Sequence, residues 1–134
     1  MAKESAQQRM ETSFPNDVVG LQMQVLRDDG VYRHINFRKP DDSFAWFEIV
    51  TWPKLLVING DMGSFMFWRI EDMFEFFRHD RPNYDYWAEK VVAQDRDGLY
   101  LRGRYGNYRP RFYWCCNAIL WAIKQYDAAK VVQP

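Results

Sequence analysis

Residues 56–68 read LVINGDMGSFMFW, two apolar runs separated by a short segment with a glycine at each end. A glycine loop that binds phosphate should open into a helix, because the amides at a helix N-terminus point at the anion. Here the second run, FMFW, favours a strand. We therefore predict a hairpin turn in which Gly60 and Gly63 supply positive φ angles and Asp61 bonds its own backbone.

Both arms of this hairpin carry apolar side chains at odd and at even positions. Leu55 and Val57 alternate with Leu56 and Ile58, and the FMFW run shows the same pattern. Successive side chains of a strand point to opposite faces, so this pattern indicates a sheet that is covered on both faces. The hairpin is predicted to lie in the centre of a sheet or beneath packed helices.

Three further strands are predicted before this hairpin. Alternating runs at 21–26 and 31–38 flank an Asp-Asp-Gly turn, which is the pattern of a hairpin. The segment FAWFEIVTW at 44–52 is rich in aromatic and β-branched residues, and a proline ends it because proline lacks a ladder donor. With the runs at 54–59 and 64–70, the chain forms an antiparallel meander of about five strands.

The apolar period then changes to that of a helix. Ile70, Met73, Phe74 and Phe77 recur with helical spacing, which predicts a short amphipathic helix. The segment RFYWCCNAILWAIKQYD at 111–127 is apolar nearly all round, which predicts a buried C-terminal helix.

Two segments are less distinct. Residues 84–93 fit a helix or a loop that leads into a strand, and LYLRGRYG at 99–106 fits a last strand. The predicted fold class is α+β, with a single domain at 15–128. A polar tail or short helix at 1–14 precedes this domain, and a tail at 129–134 follows it.

Composition limits the class of protein. The chain has 134 residues, of which 48% are hydrophobic, enough to bury one core. Its 18 basic and 18 acidic residues cancel, so no overall field draws it to nucleic acid or to an anionic membrane. The first residues lack the apolar segment of a signal peptide and no run is long enough to span a bilayer, which predicts a cytoplasmic protein.

Metal and cofactor sites are not predicted. Cys115 and Cys116 are adjacent on a helical segment and point in different directions, which excludes a disulfide and favours burial as small apolar side chains. A structural zinc site needs four ligands, and His34 and His79 lie far apart in the sequence. We expect neither a metal nor a cofactor.

The most distinctive charge pattern is LRGRYGNYRPRFYW at 101–114, where arginines and tyrosines interleave without an acid. Guanidinium groups pair phosphates and exposed rings stack on bases, which suits a groove for single-stranded nucleic acid. Protein interfaces are enriched in the same residue types. The arginines could equally neutralise the acidic residues of 71–97 within the fold. The candidate interface residues of this segment are Arg102, Arg104, Tyr105, Tyr108, Arg109 and Arg111.

Tryptophan provides a second indication of a working surface. Six tryptophans should mostly lie in the core, because each buries a large apolar area, and one left exposed would mark a binding surface. Trp52, at a strand end beside Pro53, is the candidate.

Four stretches of the chain carry a family resemblance: VLRDDGVYRHINFRKP (25–40), FEIVTWPKLLVINGDMGSFMFWRIEDMFEFFR (47–78), YWAEKV (86–91) and FYWCCNAILWAIKQYD (112–127). They resemble small proteins of unknown function encoded by bacteriophages and prophages, over more than half of the chain. The resembled proteins carry a longer acidic, helical insertion between the YWAEK segment and the last helix, so its role is not carried over. The resemblance implies a phage origin and action in the cytoplasm of an infected or lysogenic bacterium. It implies no activity and no functional residues.

Three functions are therefore open. The first is a non-enzymatic phage accessory protein that binds a host or phage protein, with a component of host defence as one candidate. The second is single-stranded nucleic-acid binding through 101–114. The third is a small enzyme, for which His34, Asp61 and Cys115 are the available candidates. The apolar excess of so short a chain also leaves a homodimer open.

Overall fold

The computed structural model describes residues 4–95, 99 and 106–132. Within them six antiparallel strands form one sheet, in which the strands lie in chain order. The α+β prediction is confirmed, with six strands instead of about five. The elements are α1 (Ala6–Asp17), β1 (Gln22–Asp29), β2 (Tyr32–Arg38), β3 (Phe47–Trp52), β4 (Leu55–Gly60), β5 (Gly63–Trp68), α2 (Met73–Phe77), α3 (Tyr84–Ala88), β6 (Val91–Gln94) and α4 (Pro110–Val132).

The additional strand, β6, lies in the segment that fitted either a helix or a loop leading into a strand. Both occur there, because α3 ends at Ala88 and β6 begins at Val91. The side chain of Asn83 caps α3 by accepting a hydrogen bond from the amide of Tyr86. The predicted strand at 99–106 falls almost entirely outside the described residues.

Residues 56–68 reverse the chain as a tight hairpin, in which Gly60 pairs with Gly63. Two predicted details were wrong. Gly63 has a positive φ of 121°, whereas Gly60 does not; a Cβ at Gly60 would lie 2.3 Å from the carbonyl oxygen of Trp46. The carboxylate of Asp61 accepts a hydrogen bond from the amide of Ala45 at 2.8 Å instead of bonding its own backbone. The turn is thus fastened to the segment before β3.

One face of the sheet forms the core with α4 and α1. The aromatic side chains of α4 contact this face, with Phe112 at 5.5 Å from Phe65 and Trp114 at 5.8 Å from Phe47, measured between ring centres. This face is buried across β2 to β5, as expected beneath a helix that is apolar nearly all round. Its large side chains, 0–2% exposed, are Ile35, Phe37, Phe47, Ile49, Leu56, Ile58, Phe65 and Phe67.

The two terminal helices cross the domain boundaries that the sequence suggested. Helix α1 continues through residue 14, where Phe14 is buried against Trp114 with ring centres 5.2 Å apart. The indole of Trp114 also donates a hydrogen bond to Asp17 at 2.9 Å. Helix α4 continues through residue 128 to Val132. Both helices therefore belong to the packed domain.

Candidate functional site

The second face of the sheet, which we call the open face, has no helix packed on it among the described residues. The prediction that both faces are covered was wrong. Side chains of β4 and β5 that point to the core are fully buried, whereas their neighbours Leu55, Val57 and Met66 are half-buried and Trp68 is 47% exposed. The apolar residues of the second parity therefore line a surface.

Strand register arranges the open face in three rows that run across the strands. The aromatic row joins Trp52 to Leu55 and Leu55 to Trp68, and Tyr32 extends it on β2. The other two rows follow from the same pairings. The aliphatic row comprises Val50, Val57, Met66 and Ala93, with His34 at its β2 end, and the polar row comprises Asn36, Glu48, Asn59 and Ser64.

A chain of hydrogen bonds connects the polar row to His34. The Ser64 hydroxyl donates to the Asn59 side-chain oxygen at 2.6 Å, and the Asn59 amide donates to Glu48 at 3.0 Å. The other oxygen of Glu48 lies 2.6 Å from Nε2 of His34. These polar groups are thus paired with one another, which lowers the cost of covering them with a partner.

Glu48 is ionised at neutral pH. Burial alone would raise its pKa, but the hydrogen bonds from Asn59 and His34, with the positive charge of Arg38, hold the pKa below the ordinary value for glutamate. A histidine oriented by a carboxylate can act as a general base, but it needs a nucleophile within reach. The nearest hydroxyl of this network, Ser64, lies at its far end and is bonded to Asn59. The arrangement orders the surface and does not assemble a catalytic set.

The predicted Arg/Tyr surface is not assembled in the described part of the chain. Arg102, Arg104 and Tyr105 lie outside it. Tyr108 was a wrong choice for an interface, because it is 1% exposed and its hydroxyl donates to Asp85 at 2.5 Å. Arg109 and Arg111 are exposed near the start of α4.

The tryptophan that the sequence selected as a surface candidate lies on the open face. Trp52 lies in the aromatic row of the open face, but its side chain is half-buried and not fully exposed. Trp68, which the sequence reasoning did not select, is the most exposed of the six tryptophans. Its position at the end of an apolar run of both parities was the signal that could have identified it.

The three candidate catalytic residues have separate environments. Asp61 is bound to the backbone before β3, and His34 lies on the open face. Burial raises the pKa of the Cys115 thiol, which donates a weak hydrogen bond to the Met62 carbonyl. The described residues include no group of three or more histidines, cysteines and acids that could hold a metal ion. No described helix is long and apolar enough to cross a bilayer.

A cleft of about 770 Å³ lies beside α3 and the start of α4. Several of its polar groups already pair with one another. The Tyr108 hydroxyl donates to Asp85, and the Tyr84 hydroxyl donates to Glu11 at 2.6 Å and accepts from Asn117. We favour the open face as the functional site because its exposed residues form continuous apolar and polar rows.

Comparison of the chain with protein-family models, with curated proteins and with solved structures gives no match. The phage origin stays a prediction from the sequence.

Proposed function

We propose that this protein acts without catalysis, by docking another protein on the open face of its sheet. The observation that carries the proposal is Trp68, which is 47% exposed on a strand paired on both sides. Single exposed apolar residues are ordinary on protein surfaces. Trp68 instead pairs with Leu55, which pairs in turn with Trp52, and a contiguous apolar patch of this kind marks an interaction site.

The chemistry of the three rows matches that of a protein interface. Tryptophan and tyrosine contribute most to binding energy at interfaces, where they combine a large apolar area with a polar group. The aromatic row supplies these anchors. The hydrogen-bonded polar row, on the far side of the aliphatic row, supplies a polar border of the kind found at the rim of such interfaces.

The charges of the open face do not favour nucleic acid. Arg27, at its β1 border, is paired with Asp29 at 3.5 Å. The Arg38 guanidinium lies 4.6 Å from the ring centre of Trp46, and the Glu48 carboxylate adds a negative charge in the middle of the face. A groove for single-stranded nucleic acid would instead present unopposed basic groups along a track.

The partner in this proposal is a host or phage protein, and a component of host defence is one candidate. That part of the proposal is supported by the resemblance to phage proteins alone. The surface itself is supported by the exposed rows and is independent of the origin of the chain.

Site-specific photocrosslinking in bacterial cells tests the proposal. A benzophenone amino acid at Met66 leaves the aromatic row intact, and one at Val131, which is 83% exposed on α4, is the control. We expect a discrete crosslinked protein from position 66 that is absent from position 131. Trp68→Ser in the same chain should abolish it. Equal crosslinking from both positions, or no crosslink to another protein from position 66, would reject the proposal.

A further inference from the structure

We propose that a second copy of this chain occupies the open face until the other partner displaces it. The two sheets pack face to face about a twofold axis that runs along β4. This inference rests on the proposed function, because both occupants use the same surface. The two copies then form a resting dimer in which the apolar rows are covered.

The register of the sheet makes the open face complementary to itself. Each row runs across the strands, and on β3, β4 and β5 the aromatic and aliphatic rows are apolar whereas the third row is polar. A rotation of 180° about an axis along β4 keeps every row in place and exchanges β3 with β5. Aromatic residues then meet aromatic residues, and polar residues meet polar residues.

The axis specifies which residues meet. Trp52 lies opposite Trp68 of the partner subunit, and Leu55 lies opposite its own copy. In the aliphatic row, Val57 lies on the axis and Val50 lies opposite Met66 of the partner subunit. In the polar row, the Glu48 carboxylate lies opposite Ser64 of the partner subunit. No apolar row therefore faces a charged side chain of the partner subunit.

The other twofold axis that stacks the same faces runs across the strands, along the aliphatic row. It exchanges the aromatic row with the polar row, so that Trp52 would lie opposite Glu48 of the partner subunit. Covering an ionised carboxylate with an indole ring carries a larger desolvation cost than placing it against the polar side chains of the polar row, as the first axis does. Isologous contacts of this kind close after two copies and do not propagate.

The size of the face makes the dimer weak. Five strands about 4.8 Å apart and three rows about 7 Å apart give roughly 500 Å² per copy, or about 1,000 Å² for the pair. Stable specific interfaces start near 1,200 Å² in total, so dissociation in the micromolar range is expected. A dimer of this strength can exchange one copy for a tighter partner.

Cysteine crosslinking tests the axis. Cys115 and Cys116 are 1% and 0% exposed, so the native thiols give little background. A bis-maleimide that spans the roughly 10 Å between packed sheets should link Val57→Cys chains into dimers. It should also link Val50→Cys to Met66→Cys in a mixture of differently tagged chains. Gln125→Cys, on the exposed surface of α4, should stay monomeric.

Sedimentation equilibrium of the full chain tests the association itself. The wild type should show a monomer–dimer equilibrium, and Trp68→Ser should raise the dissociation constant about 30-fold or more, as for loss of an interface tryptophan. Val131→Ser, a change at a more exposed apolar site off the face, should leave the dissociation constant unchanged. A wild type that is monomeric up to its solubility limit would overturn the inference. A dimer that crosslinks through Gln125→Cys would also overturn it, as would a dimer whose dissociation constant is unchanged by Trp68→Ser.

These outcomes separate the dimer from the proposed function. A monomeric protein that still crosslinks a foreign protein from position 66 in cells overturns the dimer and leaves the docking function standing. A dimer linked through Val57→Cys, in a protein that captures no other protein in cells, supports the dimer and rejects docking of a foreign protein.

Discussion

Arg33 and Asp72 form a two-pronged ion pair that joins β2 to the start of α2. The guanidinium donates to the two carboxylate oxygens at 3.0 and 3.2 Å, while its flat face lies 4.0 Å from the ring centre of Phe74. Asp72 also caps α2 by accepting from the amide of Phe74. Arg33 is 6% exposed, so its buried positive charge depends on the Asp72 carboxylate for compensation.

Replacing Asp72 by Asn should destabilise the fold by about 2 kcal/mol, because it leaves the buried guanidinium without its counter-charge while keeping a helix cap. The free energy of unfolding in urea measures the loss. Asp127→Asn is the matched control, since Asp127 makes the same two contacts with Arg78 at 2.9 Å but at an exposed site. The control should cost less than about 1 kcal/mol. Equal costs would contradict a role for burial.

Stability should fall in acid. Burial alone would raise the pKa of Asp72, but the hydrogen bonds and charge of Arg33 hold it below the ordinary value. The unfolded chain therefore binds more protons, so this contribution is complete above the ordinary aspartate pKa of about 3.9 and is lost as pH falls through the lower folded pKa. Urea midpoints measured at a series of pH values below neutrality should show the loss. Asp72→Asn should flatten the profile, and an unchanged profile would contradict the assignment.

Gly60 and Gly30 should respond differently to alanine. A Cβ at Gly60 would lie 2.3 Å from the Trp46 oxygen and 2.7 Å from the Phe47 Cα, so the backbone must move. We expect a loss of at least about 2 kcal/mol. At Gly30 a Cβ meets nothing within 4 Å and the cost comes from a φ of 61°, about 1 kcal/mol. Urea unfolding of the two variants gives the order, and a larger loss at Gly30 would reject the close-approach explanation.

The two cysteines should be unreactive until the protein unfolds. Burial raises the pKa of both thiols, and the thiolate is the reactive form. A thiol reagent such as dithiobis-nitrobenzoate should find almost no thiol in the native protein and two after denaturation in urea. Rapid labelling of the native protein would show that α4 does not shield these residues.

The elements of this fold were predictable where a local pattern determined them. The alternating runs of β1 and β2, the proline after β3 and the apolar α4 each specify structure within a few residues. The burial of Tyr108 was not predictable, because it depends on Asp85 and on the packing of α4. The requirement for glycine at position 60 was not predictable either, because it comes from the close approach of Trp46 and Phe47, which lie elsewhere in the sequence.

The open face shows most clearly where sequence reasoning stops. Apolar residues of both parities predicted two covered faces, whereas in the described residues only one face of β4 and β5 packs against helices and Trp68 on the other is 47% exposed. The parity pattern indicates apolar side chains on each face and does not indicate which helix or other element covers them. Trp68 was overlooked because a tryptophan in an apolar strand is usually a core residue, and only its position at the end of the run distinguishes it.

The most direct test of the docking surface is the accessibility of Trp68 inside cells. Hydroxyl-radical footprinting compares its oxidation in living bacteria with that in dilute purified protein, and Tyr86, 38% exposed on α3, is the internal reference. We predict that oxidation of Trp68 falls several-fold in cells while that of Tyr86 is unchanged. Equal oxidation of Trp68 in the two settings would contradict the conclusion that the open face is covered by a protein.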